Sequence, residues 1–338
     1  MNALPDVGRM ITMWDYQDEN TFLYENYIDH TYEENITHKK KFFDEKHYQH
    51  FISASLACII SRTITAPLER LKILYQINNK SKPPNIITGL KGVYNRDGFT
   101  GLFRGNTISL IKSIHDYGIK FYVFEKTKFF LKDENNELNT TRLFIAGAFG
   151  GVVANIAVFP LDVIKTRVSA APTGTYSGII DATEKIFKEG GIRVFYKGLQ
   201  ASISNTIPNA GLNLSFYELL KKIFGGTTCP SGKTNLPTTT IMIIGGLSAM
   251  FSSTILYPLQ TIQSRIIMNG LNTGNNDIVY KNNMIGVIRD TIKNEGYIGF
   301  FKGYRPGITK IVLGNSLGFS IYENIKKLFF IKTVSNEQ

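Results

Sequence analysis

The chain has 338 residues, a formal net charge of +11 and a mean hydropathy of -0.07. That length suits two soluble domains or one membrane bundle, and the positive charge favours anionic partners such as phosphates, anionic lipid or nucleic acid. Nucleic acid is the weaker choice, because Lys and Arg recur at repeated positions inside and beside apolar segments rather than along one exposed stripe. With Cys58 and Cys229 as its only cysteines, the sequence encodes neither a disulfide framework nor a cysteine-based zinc site.

Residues 1–47 are predicted to form an acidic, flexible extension. The first 50 residues hold ten Asp or Glu against five Lys or Arg, so the rest of the chain carries the positive excess. This region lacks the apolar core of a secretory signal and the Arg-rich, acid-poor composition of a transit peptide. We therefore expect any organelle address to be internal.

Three segments of about 100 residues repeat along the rest of the chain. In each, a proline tripeptide interrupts an apolar run: Ala66-Pro67-Leu68, Phe159-Pro160-Leu161 and Tyr257-Pro258-Leu259. An aromatic–basic–glycine triplet follows: Phe103-Arg104-Gly105, Tyr196-Lys197-Gly198 and Phe301-Lys302-Gly303. Each repeat ends with an aromatic residue that is followed directly by Glu, and a Lys stands three residues after that Glu. The repeats are predicted at 48–138, 139–234 and 235–332, with a short tail at 333–338.

Each repeat is predicted to contain a long helix, a short amphipathic helix and a second long helix. The six predicted membrane spans are Phe51 to Gln76, Asn106 to Leu131, Thr141 to Ser169, Leu199 to Phe224, Thr239 to Met268 and Arg305 to Ile331. The proline in each odd span frees a backbone carbonyl that lipid cannot satisfy, so neighbouring helices must cover it. The sequence therefore predicts an all-α membrane protein, a closed bundle of six transmembrane helices with pseudo-threefold symmetry.

The repeated pattern of Pro-x-acid-x-x-base, acid-Gly and aromatic-basic-Gly resembles the signature of the mitochondrial carrier family over about residues 48 to 332. The sequence departs from that signature at four places: Leu74 replaces a base, Gly190 replaces an acid, Gln260 replaces an acid and Gln263 replaces a base. Within the family, the stretch 61–74 is similar to the adenine nucleotide and coenzyme A branch. The stretches 175–178 and 208–211 are similar to the ATP-Mg/phosphate carriers.

The repeated charges in the odd helices are predicted to form a ring, because a charge at a helix centre in lipid costs roughly 2.5–3.5 kcal/mol and must face inward and pair. The resemblance implies that this ring is a matrix gate, in which the acid of each repeat meets the base of the next. The predicted pairs are Glu69–Lys165, Asp162–Gln263 and Lys72–Gln260, with Gln76 as a brace. Since two of the three pairs are charge–amide hydrogen bonds, we expect a comparatively weak gate.

The resemblance implies a second ring on the intermembrane side, the cytoplasmic gate, which closes when the matrix gate opens. Its members are Glu125, Lys128, Glu218, Lys221, Glu323 and Lys326. Two competing networks of this kind would give alternating access. The alternative reading, that these charges are interfacial anchors, fits three symmetric copies less well.

Solute contacts are expected at the positions seven residues after each triplet glycine, which by symmetry lie at equivalent depth: Lys112, Asn205 and Lys310. These match the family's three substrate contact points. Arg62, seven residues before Glu69, lies on about the same helical face and matches a basic cavity residue of nucleotide carriers. Asn205 and Thr206 stand where nucleotide carriers usually have Gly and an aliphatic residue, so the solute remains open.

The triplets also predict a lipid site, because a helix N-terminus beside a cation favours phosphate. The candidate residues are Arg104, Gly105, Lys197, Gly198, Lys302 and Gly303. The resemblance implies bound cardiolipin, no other cofactor, and a protein that functions as a monomer.

The resemblance predicts a multi-pass carrier of the mitochondrial inner membrane that exchanges a phosphate-bearing anion: adenine nucleotide, ATP-Mg/phosphate or coenzyme A. The alternatives are a carrier of the same fold for another anion or cofactor, and a non-transporting, uncoupling-like membrane protein. A peroxisome or a mitochondrion-derived organelle is the less favoured location. An enzyme is the least favoured class, because the sequence has no nucleophile–base pair, phosphate-binding glycine loop or metal-ligand cluster.

Overall fold

The computed structural model describes residues 45–78, 83–131, 140–172, 174–224, 236, 238–269 and 283–336. All regular elements within these ranges are helices. They are α1 (Glu45–Ile77), α2 (Ile86–Gly101), α3 (Asn106–Leu131), α4 (Thr140–Ala170), α5 (Ile179–Gly190), α6 (Leu199–Ile223), α7 (Thr238–Ile255), α8 (Tyr257–Met268), α9 (Met284–Glu295) and α10 (Tyr304–Asn336). Two 3₁₀ helices, Gly191–Tyr196 and Tyr297–Phe301, precede α6 and α10.

The long helices follow the six predicted spans closely. The helix α3 coincides with its prediction, α4 extends one residue beyond its prediction at each end, and α6 ends one residue earlier than predicted. The helix α1 begins at Glu45 rather than Phe51, and α10 continues five residues beyond the predicted Ile331. Of the predicted flexible extension, residues 1–44 lie outside the described residues.

The fifth predicted span is two helices rather than one. Leu256 separates α7 from α8 with φ -90° and ψ 3°, and Pro258 is in the first turn of α8. The Leu259 N–H donates to the Leu256 carbonyl only three residues back, which is the tighter spacing of a 3₁₀ turn. Since Pro67 and Pro160 lie inside continuous helices, the proline alone does not set this break.

Two sets of glycines with positive φ recur at equivalent positions in the three repeats. Gly98, Gly191 and Gly296 have φ of 74°, 66° and 69°. Gly98 lies at a kink within α2, and Gly191 and Gly296 follow the last residues of α5 and α9. The triplet glycines Gly105, Gly198 and Gly303 precede α3, α6 and α10 with φ of 85°, 89° and 81°. An L side chain rarely adopts these angles, which explains glycine at all six places.

The triplet glycines also mark where each repeat meets the next. A Cβ on Gly105 would lie 2.2 Å from Ser169 Oγ of α4, and a Cβ on Gly303 would lie 2.7 Å from the Lys72 carbonyl oxygen of α1. At Gly198 the nearest atom, the Gln263 carbonyl oxygen of α8, is 3.4 Å away. The contacts run from repeat 1 to 2, from 2 to 3 and from 3 to 1, which closes a ring.

The described residues divide into two compact units, a larger one within 62–214 and 249–313 and a smaller one within 45–61, 215–248 and 314–336. In the larger unit Ile73, Ala170 and Met268 pack together, so the ends of α1, α4 and α8 converge on one apolar cluster. In the smaller unit the Ser61 hydroxyl donates to the Gly314 carbonyl at 2.7 Å. Small residues at such sites allow close helix contact.

Hydropathy alone identifies one described helix as long and apolar enough to cross a membrane. It is the segment Arg142–Ala170 of α4, with a mean hydropathy of 1.9, and Ile243–Ile255 is a shorter apolar helix. The other long helices carry charged residues at intervals, such as Glu69 and Lys72 in α1. These inward charges lower the hydropathy of helices that otherwise have the required length.

Candidate functional site

A cavity of about 270 Å³ lies in the larger unit among α1, α3, α4, α6 and α8. Its charged lining residues are Glu69, Lys72, Lys112, Asp116, Lys120, Asp162 and Lys165. Its uncharged polar lining residues are Gln76, Asn155, Thr166, Ser202, Asn205, Thr206, Gln260, Gln263 and Ser264. The volume is just below the ~300–1,000 Å³ typical of small-molecule sites, and most of the lining is polar.

Two of the three predicted matrix-gate contacts are present. Lys165 of α4 pairs with Glu69 of α1. Lys72 Nζ donates to Gln260 Oε1 of α8 at 2.7 Å and lies 5.5 Å from the centre of the Tyr257 ring. These contacts join the three odd segments of the repeats at one level.

The third predicted contact, between Asp162 and Gln263, is not among the hydrogen bonds of the residues that the structure describes. Lys112 of α3 instead reaches Asp162 and donates to both carboxylate oxygens at 2.7 Å. The physical reason is charge: an ammonium bonded to a carboxylate makes a stronger hydrogen bond than a neutral amide does. The gate acid of repeat 2 is therefore held by a predicted solute contact of repeat 1.

Lys310, the predicted solute contact of repeat 3, makes an equivalent connection. Its Nζ lies 3.1 Å from Glu69 Oε2, while Lys165 holds the other oxygen of the same carboxylate. Arg62 lies seven residues before Glu69 in α1, and its Nη2 donates to Tyr117 Oη at 3.3 Å. Of the five predicted solute contacts, Lys112, Asn205 and Thr206 line the cavity.

The predicted brace, Gln76, links α1 to α8. It is almost fully buried, and its Oε1 accepts a hydrogen bond from Ser264 Oγ at 2.8 Å. Ser264 lies one turn after Gln260 and also donates to the Gln260 carbonyl. The brace therefore acts on the segment that carries the uncharged gate residues.

Three buried arginines form a second threefold network that sequence analysis missed. Arg167 and Arg265 occupy equivalent positions, seven residues after their prolines. Arg167 pairs with Glu189, and Arg265 pairs with Glu295 at 2.8 Å. Each also donates from Nε to a backbone carbonyl near the end of the next odd helix. The arginines therefore tie the short helices to the ends of the long ones.

In repeat 1, Arg70 supplies the cation that Leu74 cannot. Its Nη2 lies 2.6 Å from Asp97 Oδ2, and its Nε donates to the Ser169 carbonyl at 3.0 Å. Arg70 precedes Leu74 by four residues, so both lie on one face of α1. The four-residue spacing between Arg70 and Leu74 is the feature of the sequence from which Arg70 could have been predicted to replace the missing base.

In repeat 2, Glu189 takes the place of the acid missing at Gly190. Its side chain is 39% exposed, compared with 2% for Asp97 and 4% for Glu295. Glu189 stands one residue before the position at which the family pattern has the acid, and it pairs with Arg167 from this more exposed position. The Nη2 atom of Arg167 is buried and has no hydrogen-bond partner among the described atoms. We infer that this is the weakest of the three arginine–acid pairs.

The cations of the triplets lie against helix ends. Arg104 Nη1 donates to the Ala171 carbonyl at 3.0 Å, and Lys302 Nζ donates to the Asn78 carbonyl at 2.9 Å. Lys197 is partly buried at the equivalent place in repeat 2. A cation is favourable at the C-terminus of a helix, where backbone carbonyls lack partners. The lipid role of these residues stays a prediction.

In each repeat, the Glu and Lys of the predicted cytoplasmic gate lie three residues apart on the same helix. In the larger unit, Lys128 Nζ lies 3.1 Å from Glu125 Oε1. In the smaller unit, Glu218 is exposed and Lys221 is buried on α6. Glu323 is partly buried on α10, and the side chain of Lys326 lies outside the described part of the chain. Their gating role stays a prediction.

Comparisons with known proteins agree with the threefold pattern. Residues 43–135, 136–228 and 234–333 each match the mitochondrial carrier protein family. The chain is 36% identical over 285 residues to mitochondrial substrate carrier family protein C of Dictyostelium discoideum. It is 32% identical over 281 residues to a mitochondrial adenyl nucleotide antiporter of Homo sapiens.

These matches cover most of this chain but only part of two relatives. Each of the two covers 83% of this chain and 58% of the relative. A third relative, mitochondrial substrate carrier family protein A of Dictyostelium discoideum, is 36% identical over 288 residues, which is 84% of this chain and 86% of that protein.

Proposed function

This chain belongs to the mitochondrial carrier family, and from that membership we propose that it exchanges a phosphate-bearing anion by alternating access. The family and the relatives' names indicate a multi-pass protein of the mitochondrial inner membrane. The proposed solutes are an adenine nucleotide, the ATP-Mg/phosphate pair or coenzyme A. The adenyl nucleotide antiporters among the relatives support the first of these. The proposed role is transport, not enzymatic catalysis.

The observation that carries the proposal is the pairing of two predicted solute-binding lysines with gate carboxylates. Lys112 is held by Asp162, and Lys310 by Glu69. A phosphate competes for both lysines because it also offers anionic oxygens to an ammonium group. When it binds, each lysine leaves its carboxylate, and the gate loses the contacts that hold it.

Binding and opening are therefore linked by competition for the same cations. Phosphate attached to Lys112 frees Asp162, and phosphate attached to Lys310 leaves Glu69 with Lys165 alone. A solute opens a gate only to the extent that it binds the open state more tightly than the closed one. Without solute, the pairs re-form, so exchange is favoured over one-way movement.

The test is uptake of labelled ATP, ADP, coenzyme A and phosphate into liposomes containing cardiolipin and preloaded with each compound. We expect exchange of at least one compound and its loss in Lys112→Ala and Lys310→Ala. Lys91→Ala is the matched control, because Lys91 is exposed on α2 and does not line the cavity. No uptake of any phosphate-bearing compound by folded protein would overturn the proposal.

A carrier of another anion or cofactor is the second candidate, and the polar residues at Asn205 and Thr206 favour it. If ATP and coenzyme A in excess fail to block uptake of a different anion, this second candidate is the better account. A non-transporting, uncoupling-like protein is the third, and dispensable Lys112 and Lys310 would favour it.

We also propose that the triplets hold an anionic phospholipid, cardiolipin, and that the monomer is the functional unit. The N-termini of α3, α6 and α10 follow Gly105, Gly198 and Gly303 directly, and backbone N–H groups at such termini suit phosphate. Thermal unfolding of the detergent-purified protein with and without cardiolipin tests this, with a rise in the midpoint expected.

A further inference from the structure

Of the two matrix-gate lysines, only Lys72 lacks the acid that the family pattern provides. Gln260 replaces that acid, and Lys72 Nζ donates to Gln260 Oε1 at 2.7 Å. A neutral amide holds an ammonium group less strongly than a carboxylate does. Because Lys72 is partly buried, its charge needs more compensation than one amide provides.

The ring of Tyr257 supplies a second contact for this lysine. Lys72 Nζ lies 5.5 Å from the centre of the ring, within the ~6 Å over which an aromatic face attracts a cation. Tyr257 is only 2% exposed, so little water competes with the ring for the ammonium group. A contact of this kind is stronger when it is shielded from water.

The packing around Tyr257 fixes its ring beside Lys72. The ring stacks on that of Phe301 with 6.2 Å between centroids, and it meets the ring of Tyr304 edge-on at 5.4 Å. A Cβ on Gly307 would lie 3.2 Å from Tyr257 Cε2 and 3.5 Å from Lys72 Cδ. Glycine at this position therefore leaves the space in which the two side chains meet.

The residue that precedes the gate proline differs between repeats 1 and 3 in step with the acid. In repeat 1 this residue is Ala66, and the acid Glu69 is present and pairs with Lys165. In repeat 3 it is Tyr257, and the acid is replaced by Gln260. The aromatic ring thus stands in the repeat that lacks the acid, and the small residue stands in the repeat that has it.

We propose that Tyr257 is a positioning residue of the matrix gate, whose ring holds the Lys72 ammonium group in place of the missing acid. The inference rests on the proposed function, because this contact affects transport only if the gate opens and closes. A ring has no net charge, so opening the gate leaves no unpaired carboxylate on α8. The ring therefore closes this part of the gate without the ion pair that Lys165 makes with Glu69.

The test measures the maximal rate at which labelled ADP enters liposomes preloaded with ADP. Tyr257→Leu removes the ring, so the gate opens with one contact fewer and the rate should rise about three- to tenfold. Tyr257→Met, which also lacks a ring, should have the same effect if the leucine variant does not fold. Tyr257→Phe loses only the hydroxyl that donates to the Lys302 carbonyl at 3.1 Å, so its rate should match the wild type.

Phe159→Leu is the matched control in repeat 2. Phe159 precedes the gate proline of that repeat, is as buried as Tyr257, and stacks on Tyr196 with 6.5 Å between centroids. The next repeat supplies Gln263 instead of a gate lysine, so this ring has no gate cation to hold. Phe159→Leu should bring no rise in rate.

Two double variants separate this role from a general effect on packing. In the Lys72→Met background, Tyr257→Leu should raise the rate no further, because the ring then has no cation to hold. In the Gln260→Glu background, which restores the acid, Tyr257→Leu should not raise the rate above that of the wild type. The unfolding midpoint of the purified chain, measured without solute, should show the same coupling between Tyr257 and Lys72.

An unchanged or lower rate in the folded Tyr257 variants that lack a ring would overturn the inference and leave the proposed function standing. A rise that persists without Lys72, or unfolding midpoints that show no coupling, would overturn it as well. If the wild type exchanges neither ADP, ATP, coenzyme A nor phosphate, the proposed function fails and the gate role of Tyr257 fails with it.

Discussion

Replacing Gln263 by lysine should give the matrix gate the ion pair it lacks. Gln263 is the residue of α8 that stands where the family pattern has a base, and it lines the cavity with Asp162. A lysine at this position would form an ion pair with Asp162, as Lys165 does with Glu69. We expect Asp162 to transfer from Lys112 to the new lysine, so that Lys112 no longer contacts a carboxylate.

The magnitude follows from the contacts. Asp162 and Lys112 are 15% and 25% exposed, so the new pair would be partly shielded from water. A hydrogen bond to a charged group contributes about 1.5–3 kcal/mol in such settings. If about 1.4 kcal/mol of this must be given up when the gate opens, the maximal exchange rate falls about tenfold. KM should fall too, because phosphate no longer displaces Asp162 from Lys112.

Exchange kinetics of Gln263→Lys in liposomes check this expectation. Gln263→Met has a similar length and no charge, and should behave like the wild type. In the double variant Asp162→Asn with Gln263→Lys, the rate loss should disappear relative to Asp162→Asn alone, because the lysine then has no acid to pair with. An unchanged maximal rate in Gln263→Lys, or a rate loss that persists without Asp162, would refute the reasoning.

Three other predictions follow from the packing around the cavity. Glu295→Gln should destabilise the protein by about 3–5 kcal/mol, because it leaves the buried Arg265 without an acid that is itself buried. Glu189→Gln should cost less, because Glu189 is 39% exposed and water screens its pairing with the buried Arg167; equal shifts in unfolding midpoint would contradict this. Gly105→Ala should cost about 1–3 kcal/mol for its positive φ alone, while Gly118→Ala, with open space around its Cβ, should be neutral or stabilising; the same thermal assay decides. Backbone and side-chain hydrogen bonds, the first from Ser177, lower the pKa of Asp181, so its contribution to α5 is present above the ordinary carboxyl pKa and is lost as pH falls through the lowered value. Hydrogen exchange of α5 amides should show protection falling on acidification in the wild type and a flatter response in Asp181→Asn.

The helix plan could be predicted from the sequence because periodicity and repeated motifs act locally. The bounds of α3 were predicted to the residue, and both glycine sets lie where the repeats place them. The break at Leu256 could not be predicted, because Pro67 and Pro160 have the same local sequence role in continuous helices. The proline motif therefore does not decide between a broken and a continuous helix.

The candidate site was predicted less completely, because its contacts depend on which side chains compete for one partner. The Glu69–Lys165 and Lys72–Gln260 contacts follow from the pairing that the family resemblance implies, and both are present. The Lys112–Asp162 contact does not, because it forms where the symmetric base is missing and a longer side chain fills the place. A departure from the family motif, such as Gln263 in place of a base, thus shows that Asp162 lacks its expected partner. It does not show that Lys112 takes that place.

The most direct test of the central claim compares labelled ADP uptake into liposomes preloaded with unlabelled ADP and into empty liposomes. The account predicts rapid uptake only when the inside holds a solute, since the lysine–carboxylate pairs re-form around an empty cavity. Loss of that uptake in Lys112→Ala should accompany it. Equal uptake into empty liposomes, or full exchange without Lys112, would contradict the claim that solute and gate carboxylates compete for the same cations.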